Sequence, residues 1–192
     1  MITKNNITGI ILAGGKSSRM GSDKGLLMLH GKPFIQHIID ALQVFVSEIL
    51  IVSNNTHYDL FGYKRIEDVI ANAGPLAGVY SGLNASRTTY SLVLSCDIPL
   101  ISPTILKKLI AETDDISQIV QVQSQSKTMP LIALYKDSCK DSFLQLLKIG
   151  ERRLQFAVNQ CQVKTISLDT EDEKNTLNVN TPEELKTITN DY

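Results

Sequence analysis

The sequence has no long basic run: 19 Lys and Arg stand against 20 Asp and Glu, a formal net charge of −1 over 192 residues. Nucleic-acid affinity depends on clustered cations, so this balance argues against a reader of phosphate backbones. No apolar run reaches membrane-spanning length. The apolar segment within MITKNNITGIILAGG is too short for a signal-peptide core. Cys96, Cys139 and Cys161 are odd in number and lack C-x-x-C spacing, which argues against a disulfide framework or a zinc site. They read as small buried hydrophobes without a redox role. His30, His37 and His57 lack the compact spacing of metal ligands. Internal repeats and low-complexity tracts are also missing. The expectation is a soluble, cytoplasmic protein with no nucleic-acid and no membrane partner, and 43% hydrophobic content suffices for one core in a single domain over residues 1–192.

What the sequence does contain is concentrated in Ile10 to Leu27, IILAGGKSSRMGSDKGLL. Ile10, Ile11 and Leu12 read as the end of a buried strand, after which Gly14 and Gly15 let backbone N–H groups approach an anion without hindrance from a Cβ. Successive amides can form an anion-binding nest. Arg19 adds a planar fork of donors and Lys24 a compact positive charge, a pair suited to a polyphosphate. The common glycine fingerprints do not fit. Gly15-Lys16-Ser17 lies too close to Gly14 for a P-loop, and Gly14-Gly15 followed by Gly21 is not G-x-G-x-x-G. From these residues alone, a tight turn carrying solvated charges remains an alternative to a nucleotide loop.

Strands are expected at Ile7–Leu12, Ile49–Val52, Lys64–Glu67, Tyr90–Cys96, Ile119–Gln123, Leu131–Tyr135 and Val163–Leu168. Pro33 can open a helix whose Phe34, Ile35, Ile38, Leu42 and Phe45 share one face, and further helices are expected over Leu76–Ala85, from Ser102-Pro103 through Ile110, and over Ser138–Leu147. Strand, helix and strand in succession suggest a right-handed parallel crossover. The polar stretch Ser124–Lys127 suggests an antiparallel hairpin, so the sheet is expected to be mostly parallel but mixed. Asp169–Glu173 reads as a surface loop. Thr181-Pro182-Glu183-Glu184 reads as a helix start with a capping box.

Asp97 emerges directly from the strand Tyr90–Cys96, at the same end of the sheet as the glycine loop, where open α/β folds bind ligands. It is a candidate for the site, although a carboxylate before Ile98-Pro99 can also serve a turn. Asn178 and Asn180 flank Val179, and alternation points them to one face.

Taken together, Leu12-Ala13-Gly14-Gly15, Arg19-Met20-Gly21, Asp23-Lys24, Gly74-Pro75-Leu76-Ala77-Gly78, Cys96-Asp97-Ile98-Pro99, Gly150-Glu151-Arg152-Arg153 and Asn178-Val179-Asn180-Thr181-Pro182-Glu183-Glu184-Leu185 resemble the molybdenum cofactor guanylyltransferase family. The resemblance spans nearly the whole chain. It implies a Rossmann-like, three-layer α/β nucleotidyltransferase fold and an enzyme that uses GTP and Mg2+ to add GMP to molybdenum-bound molybdopterin, releasing pyrophosphate. Carried over by position, Leu12, Ala13, Gly14 and Gly15 would bind GTP, Lys24 and Asp68 would contact the nucleotide, and Asp97 would hold magnesium. Arg19 would be a further phosphate contact and Gly78 a backbone neighbour of the guanine. Asp97, Lys24 and Arg19 would carry the catalysis. One of Arg152 and Arg153 would receive the molybdopterin phosphate, and Asn180 would support the metal or the substrate. Cofactor-delivery proteins or molybdoenzymes are the partners that such an enzyme would serve.

Met129 departs from the pattern, since a polar side chain such as His or Gln often precedes the matching proline in the family. The same loop and carboxylate would also serve a cytidylyltransferase for the same cofactor or a sugar-nucleotide pyrophosphorylase. A non-catalytic nucleotide-binding adaptor would not need the full set of charges.

Overall fold

The computed structural model describes residues 2–14, 23–70 and 73–190. In chain order the strands are β1 (Ile7–Leu12), β2 (Met28–Leu29), β3 (Lys32–Pro33), β4 (Glu48–Val52), β5 (Lys64–Ile66), β6 (Tyr90–Ser95), β7 (Ile119–Ser124), β8 (Lys127–Lys136) and β9 (Val163–Ser167). The α-helices are α1 (Phe34–Leu42), α2 (Gly74–Ala85), α3 (Pro103–Ala111), α4 (Cys139–Lys148), α5 (Leu154–Val158), α6 (Thr170–Lys174) and α7 (Pro182–Asn190). Seven strands form one sheet in the order β5-β4-β1-β6-β8-β7-β9, while β2 and β3 make a separate small ladder. Only β8 runs against its neighbours β6 and β7, and the remaining pairings in the large sheet are parallel. The mostly parallel, mixed sheet expected from the sequence is therefore observed.

All six residues of β1 are buried, because helices cover both faces of the sheet. Ile7 and Ile11 belong to the core shared with Ile35, Ile38 and Leu42 of α1 and Ile105 and Leu109 of α3. Ile10 and Leu12 point the other way, into the core with Leu76, Val79 and Leu83 of α2, Phe143 of α4 and Ala157 of α5. This alternation fixes the register of β1, since a one-residue slip would exchange the two sets. Small residues bring α2 close to the sheet: a Cβ on Gly82 would lie 2.5 Å from Cγ2 of Ile10.

The hairpin between β7 and β8 turns at Gln125 and Ser126, whose φ angles are +48° and +63°. Its register shifts between Gln121 and Val122, where the pairing passes from Ala133 to Met129. Pro130 lies in this irregular stretch, where a residue without an N–H is tolerated in a sheet. Met129 is half-buried and packs against the core on the α1 side.

One expectation is corrected. Asp169–Glu173 is not a simple surface loop, because Thr170–Lys174 is helical and Asp172 is buried. The ammonium of Lys108 on α3 donates to Asp172 at 2.6 Å and to Asp169 at 3.1 Å, so an acidic stretch is held against the body by a cation 61 and 64 positions earlier. At the C-terminus, Glu184 accepts from the Thr181 amide at 3.1 Å and its own amide donates to Thr181 Oγ1 at 3.2 Å, which is the expected capping box of α7. A third, small core of Leu29, Phe34, Val179 and Ile188 attaches this region to β2 and the start of α1.

Candidate active site

The carboxyl ends of β4, β1 and β6 are adjacent, and the backbone links them just beyond the strands. The Ala13 amide donates to the Val52 carbonyl at 2.9 Å, and the Cys96 amide donates to the Leu12 carbonyl at 3.0 Å. A cavity of about 700 Å³ opens there, lined by Leu12, Ala13 and Gly14 from β1, Ser53, Asn54 and Asn55 after β4, Asp68 after β5, Gly74 and Gly78 of α2, and Asp23. That volume is in the range of small-molecule and cofactor sites.

Leu12, Ala13, Gly14, Asp68 and Gly78 thus share one wall system, as the family resemblance implied. Gly15 and Arg19 lie outside the described residues. A Cβ on Gly14 would meet none of the described residues within 4 Å, so the wall there is open towards the cavity. A Cβ on Gly78 would lie 3.5 Å from Leu12 Cδ2 and 3.7 Å from Asp68 Oδ1, which places Gly78 against both residues. The Asp68 amide donates to Asn54 Oδ1 at 3.1 Å. Burial raises the pKa of the Asp68 carboxyl above its ordinary value.

Lys24 and Asp97 form a second group next to the cavity, each coming shortly after a lining residue in the chain, Asp23 and Ser95 respectively. The Lys24 ammonium donates to Asp97 Oδ2 at 3.2 Å and also to Asn180 Oδ1. The Val179 amide donates to the Asp97 carbonyl at 2.8 Å, so the segment before α7 is tied directly to the end of β6. Asn178, by contrast, is exposed.

Asp97 Oδ1 is buried and has no hydrogen-bond partner among the described residues. An uncompensated buried carboxylate oxygen is costly, and a cation relieves it. Among the described residues there is no cluster of three or more His, Cys, Asp or Glu side chains able to hold a metal. This donor set therefore fits a hard ion that takes one carboxylate from the protein and its other ligands from phosphate oxygens and water, which is the habit of magnesium. Burial pushes the Cys96 thiol up, and the neighbouring charges of Asp97 and Asp23 push it further, which disfavours a thiolate beside Asp97.

The turn carrying Arg152 and Arg153 abuts the start of α2. A Cβ on Gly74, whose φ is +73°, would lie 3.3 Å from the Arg152 carbonyl oxygen. Arg153 donates to Glu151 through Nε at 3.0 Å and through its terminal nitrogen at 2.6 Å, and it lies 5.1 Å from the ring centre of Phe156. Those bonds, with the amides of Arg153 and Arg152, hold the Glu151 carboxyl down at about 2.

Sequence reasoning did not single out Asn54, Asn55 or Tyr58, nor give Asp23 a separate role. Asp23 Oδ1 accepts from the Tyr58 hydroxyl and from the Gly25 amide at 3.2 Å, and Oδ2 accepts from Asn55 Nδ2 at 3.0 Å. The only available signal was the pair of asparagines after an apolar strand, at the sheet edge where ligands bind.

Residues 9–164 match the family model of the MobA-like NTP transferase domain. The chain is 35% identical to a probable molybdenum cofactor guanylyltransferase of Flavobacterium johnsoniae over 95% of its own length and 96% of that protein's. It is 37% identical to a molybdenum cofactor guanylyltransferase of Shewanella sediminis over 93% of each chain. Among solved structures, the molybdopterin-guanine dinucleotide biosynthesis protein A of Archaeoglobus fulgidus has the same fold, with a TM-score of 0.79 at 21% identity over 95% of this chain and 97% of that one. With the matched segment running from β1 into β9 and embracing Asp23, Lys24, Asp68, Gly78 and Asp97, this chain belongs to the MobA-like NTP transferase domain family.

Proposed function

We propose that this protein, acting as one nucleotidyltransferase domain, transfers GMP from GTP to molybdenum-bound molybdopterin and releases pyrophosphate. The observation that carries this reading is the Lys24–Asp97–Asn180 group beside a nucleotide-sized cavity, with one carboxylate oxygen of Asp97 left without a partner among the described residues. The names of the curated relatives supply the substrates.

In the reaction, an oxygen of the molybdopterin phosphate bonds to the α-phosphorus of GTP while the bond from that phosphorus to the bridging oxygen of the β-phosphate breaks. The nucleophile is already anionic at neutral pH, so no strong general base is needed. The barrier lies in bringing anions together, and positioning with charge stabilisation lowers it. In this reading the loop that continues from Gly14 and Gly15 cradles the phosphates, beyond the ladder bonds that occupy the Ala13 amide, while Leu12 and Ala13 line the cavity and Arg19 adds a second cation from the same loop. Lys24 stands at the pyrophosphate end, held between Asp97 and Asn180 until the phosphates compete for its ammonium. Asp68 accepts from donors of the nucleoside, and Gly78 leaves the wall flat for the base. Asp97 would hold a divalent ion, Mg2+ in this reading, which when bound neutralises charge on the triphosphate and the departing pyrophosphate. In this reading one of Arg152 and Arg153, on the turn set against the start of α2, receives the acceptor phosphate. A cytoplasmic location belongs to the same reading, because GTP is a cytoplasmic substrate.

The test is a turnover assay with purified protein, GTP, Mg2+ and molybdopterin, scored for guanylylated cofactor and run in parallel with CTP. GTP-dependent product supports the reading. Preferential pyrophosphate release from CTP in the presence of molybdopterin would replace it with cytidylyl transfer.

A further inference from the structure

The backbone that carries Lys24 has little holding it from within. It is one 3₁₀ turn, Lys24–Leu26, closed by the Leu26 amide on the Asp23 carbonyl and the Leu27 amide on the Lys24 carbonyl, each at 3.1 Å. The Phe34 amide donates to the Leu27 carbonyl at 2.8 Å and Leu26 packs against the core on the α1 side, and further support comes from residues more than thirty positions later. Tyr58 is wholly buried. Its hydroxyl donates to the Asp23 carboxylate on one side of Lys24, and on the other side its ring lies so close to Gly25 that any Cβ there would collide with the hydroxyl. Asn55 adds a donor to the second carboxylate oxygen of Asp23 at 3.0 Å, and the Gly25 amide returns to the first at 3.2 Å. Burial raises the pKa of the Tyr58 hydroxyl above its ordinary value, which favours the protonated, donating form. With these donors in place the Asp23 carboxylate is an anchor, even though it faces a cavity suited to a polyphosphate. The preceding residue, Asn54, holds the backbone of Asp68 at the other wall of the same cavity.

We infer that Tyr58 and Asn55, acting through the Asp23 carboxylate, are positioning residues that set the Lys24 ammonium against the phosphates. This rests on the guanylyl-transfer reading given above. An ammonium on a four-carbon stem is placed by its backbone, and small misplacements at a reacting centre are expensive in rate. A second consequence is that the segment after β4 links the Asp68 wall to the Lys24 turn, so occupation of the nucleoside end and the placing of Lys24 share one piece of backbone.

The experiment compares Tyr58→Phe and Asn55→Asp in two backgrounds, the natural protein and Lys24→Ala. Tyr58→Phe keeps the ring against Gly25 and removes only the donor. Asn55→Asp keeps the oxygen that accepts from the His57 amide at 3.0 Å but faces Asp23 with a second carboxylate. In the natural background kcat should fall about tenfold or more for Tyr58→Phe and further for Asn55→Asp. GTP affinity measured by calorimetry should weaken in parallel. In the Lys24→Ala background neither substitution should change kcat or GTP affinity by more than about twofold, since groups that act through one residue are non-additive. Where Lys24→Ala turnover falls below detection, the affinity measurements decide.

A purely structural role predicts the opposite, namely the same fold-loss in both backgrounds together with a lowered melting temperature. That result, or natural kcat in Tyr58→Phe, overturns the inference. Failure of the underlying reading is told apart because the unsubstituted protein would then form no guanylylated cofactor, or Lys24→Ala would turn over normally.

Discussion

Asp97→Ala separates the chemistry of the site from its stability. In the metal-free protein the substitution removes a buried oxygen that has no partner among the described residues, which relieves about 1–3 kcal/mol of desolvation. It also removes the ion pair with Lys24, whose two side chains are 16% and 23% exposed. A pair so placed lies between the surface and buried limits and contributes roughly 1–3 kcal/mol. Lys24 keeps its bond to Asn180, and the backbone bond from Val179 to residue 97 does not involve the side chain. The two effects offset to within about 2 kcal/mol, which for a chain of this size is a shift of no more than about 8 °C in melting temperature. Turnover should nevertheless fall by at least about a hundredfold, the scale of a lost charge-stabilising contact in a transition state. Thermal unfolding without metal, repeated with GTP and Mg2+, reads the first quantity, and pyrophosphate release reads the second. The ligands should raise the midpoint of the natural protein by clearly more than that of Asp97→Ala. A fall of more than about 10 °C in the metal-free midpoint would show that Asp97 anchors the fold. Turnover within about tenfold of the natural protein in excess Mg2+ would refute its catalytic place.

Gly82→Ala should destabilise the protein by about 1–2 kcal/mol even though alanine is the better helix former, because its Cβ would lie 2.5 Å from Ile10 Cγ2; urea unfolding checks the sign. Gly78→Ala is the control, since its new Cβ makes only ordinary contacts at 3.5–3.7 Å and should weaken GTP binding with little change in the unfolding midpoint. Asp68→Asn should weaken GTP binding while leaving the unliganded protein at least as stable at neutral pH, because the raised pKa means that folding disfavours the carboxylate and its removal relieves that cost. The Glu151 carboxyl has the opposite sign: depressed from 4.5 to about 2, it contributes stability above pH 4.5 that is lost as pH falls through about 2. The difference in urea midpoint between the natural protein and Glu151→Gln should therefore be constant above that range and close within it.

The strands were legible because a sheet covered on both faces writes itself as short apolar runs. Ile7–Leu12 coincides with β1, and the expected Ile49–Val52 and Tyr90–Cys96 differ from β4 and β6 by one residue each. The first half of β8, Lys127–Pro130, was hidden by its polar, exposed start next to the turn. Asp169–Glu173 was misread because its charges suggest solvent, whereas the cation that holds Asp172 comes from α3, 64 positions away. Within the site, the glycine loop and Asp97 drew notice by residue type and place at strand ends, whereas Leu12, Asp68 and Gly78 came from the family resemblance; the structure sets Leu12, Gly14, Asp68 and Gly78 around one cavity, with Asp97 bonded to Lys24 beside it. Tyr58 and Asn55 drew no notice. Their meaning lies in bonds to Asp23 that span 35 and 32 positions, and no local period or spacing records such a contact.

The small core of Leu29, Phe34, Val179 and Ile188 has a consequence for how the protein opens. The wall that presents Asn180 to Lys24 rests on those four buried side chains and on one backbone bond to Asp97, apart from the two large cores that hold the sheet. Its amides should therefore exchange with solvent through a local opening that leaves β1, β4 and β6 protected. Protection is thus graded across the molecule: the strands that carry the nucleotide cavity belong to the cooperative unit that opens last, while the segment closing over Lys24 belongs to one that opens first.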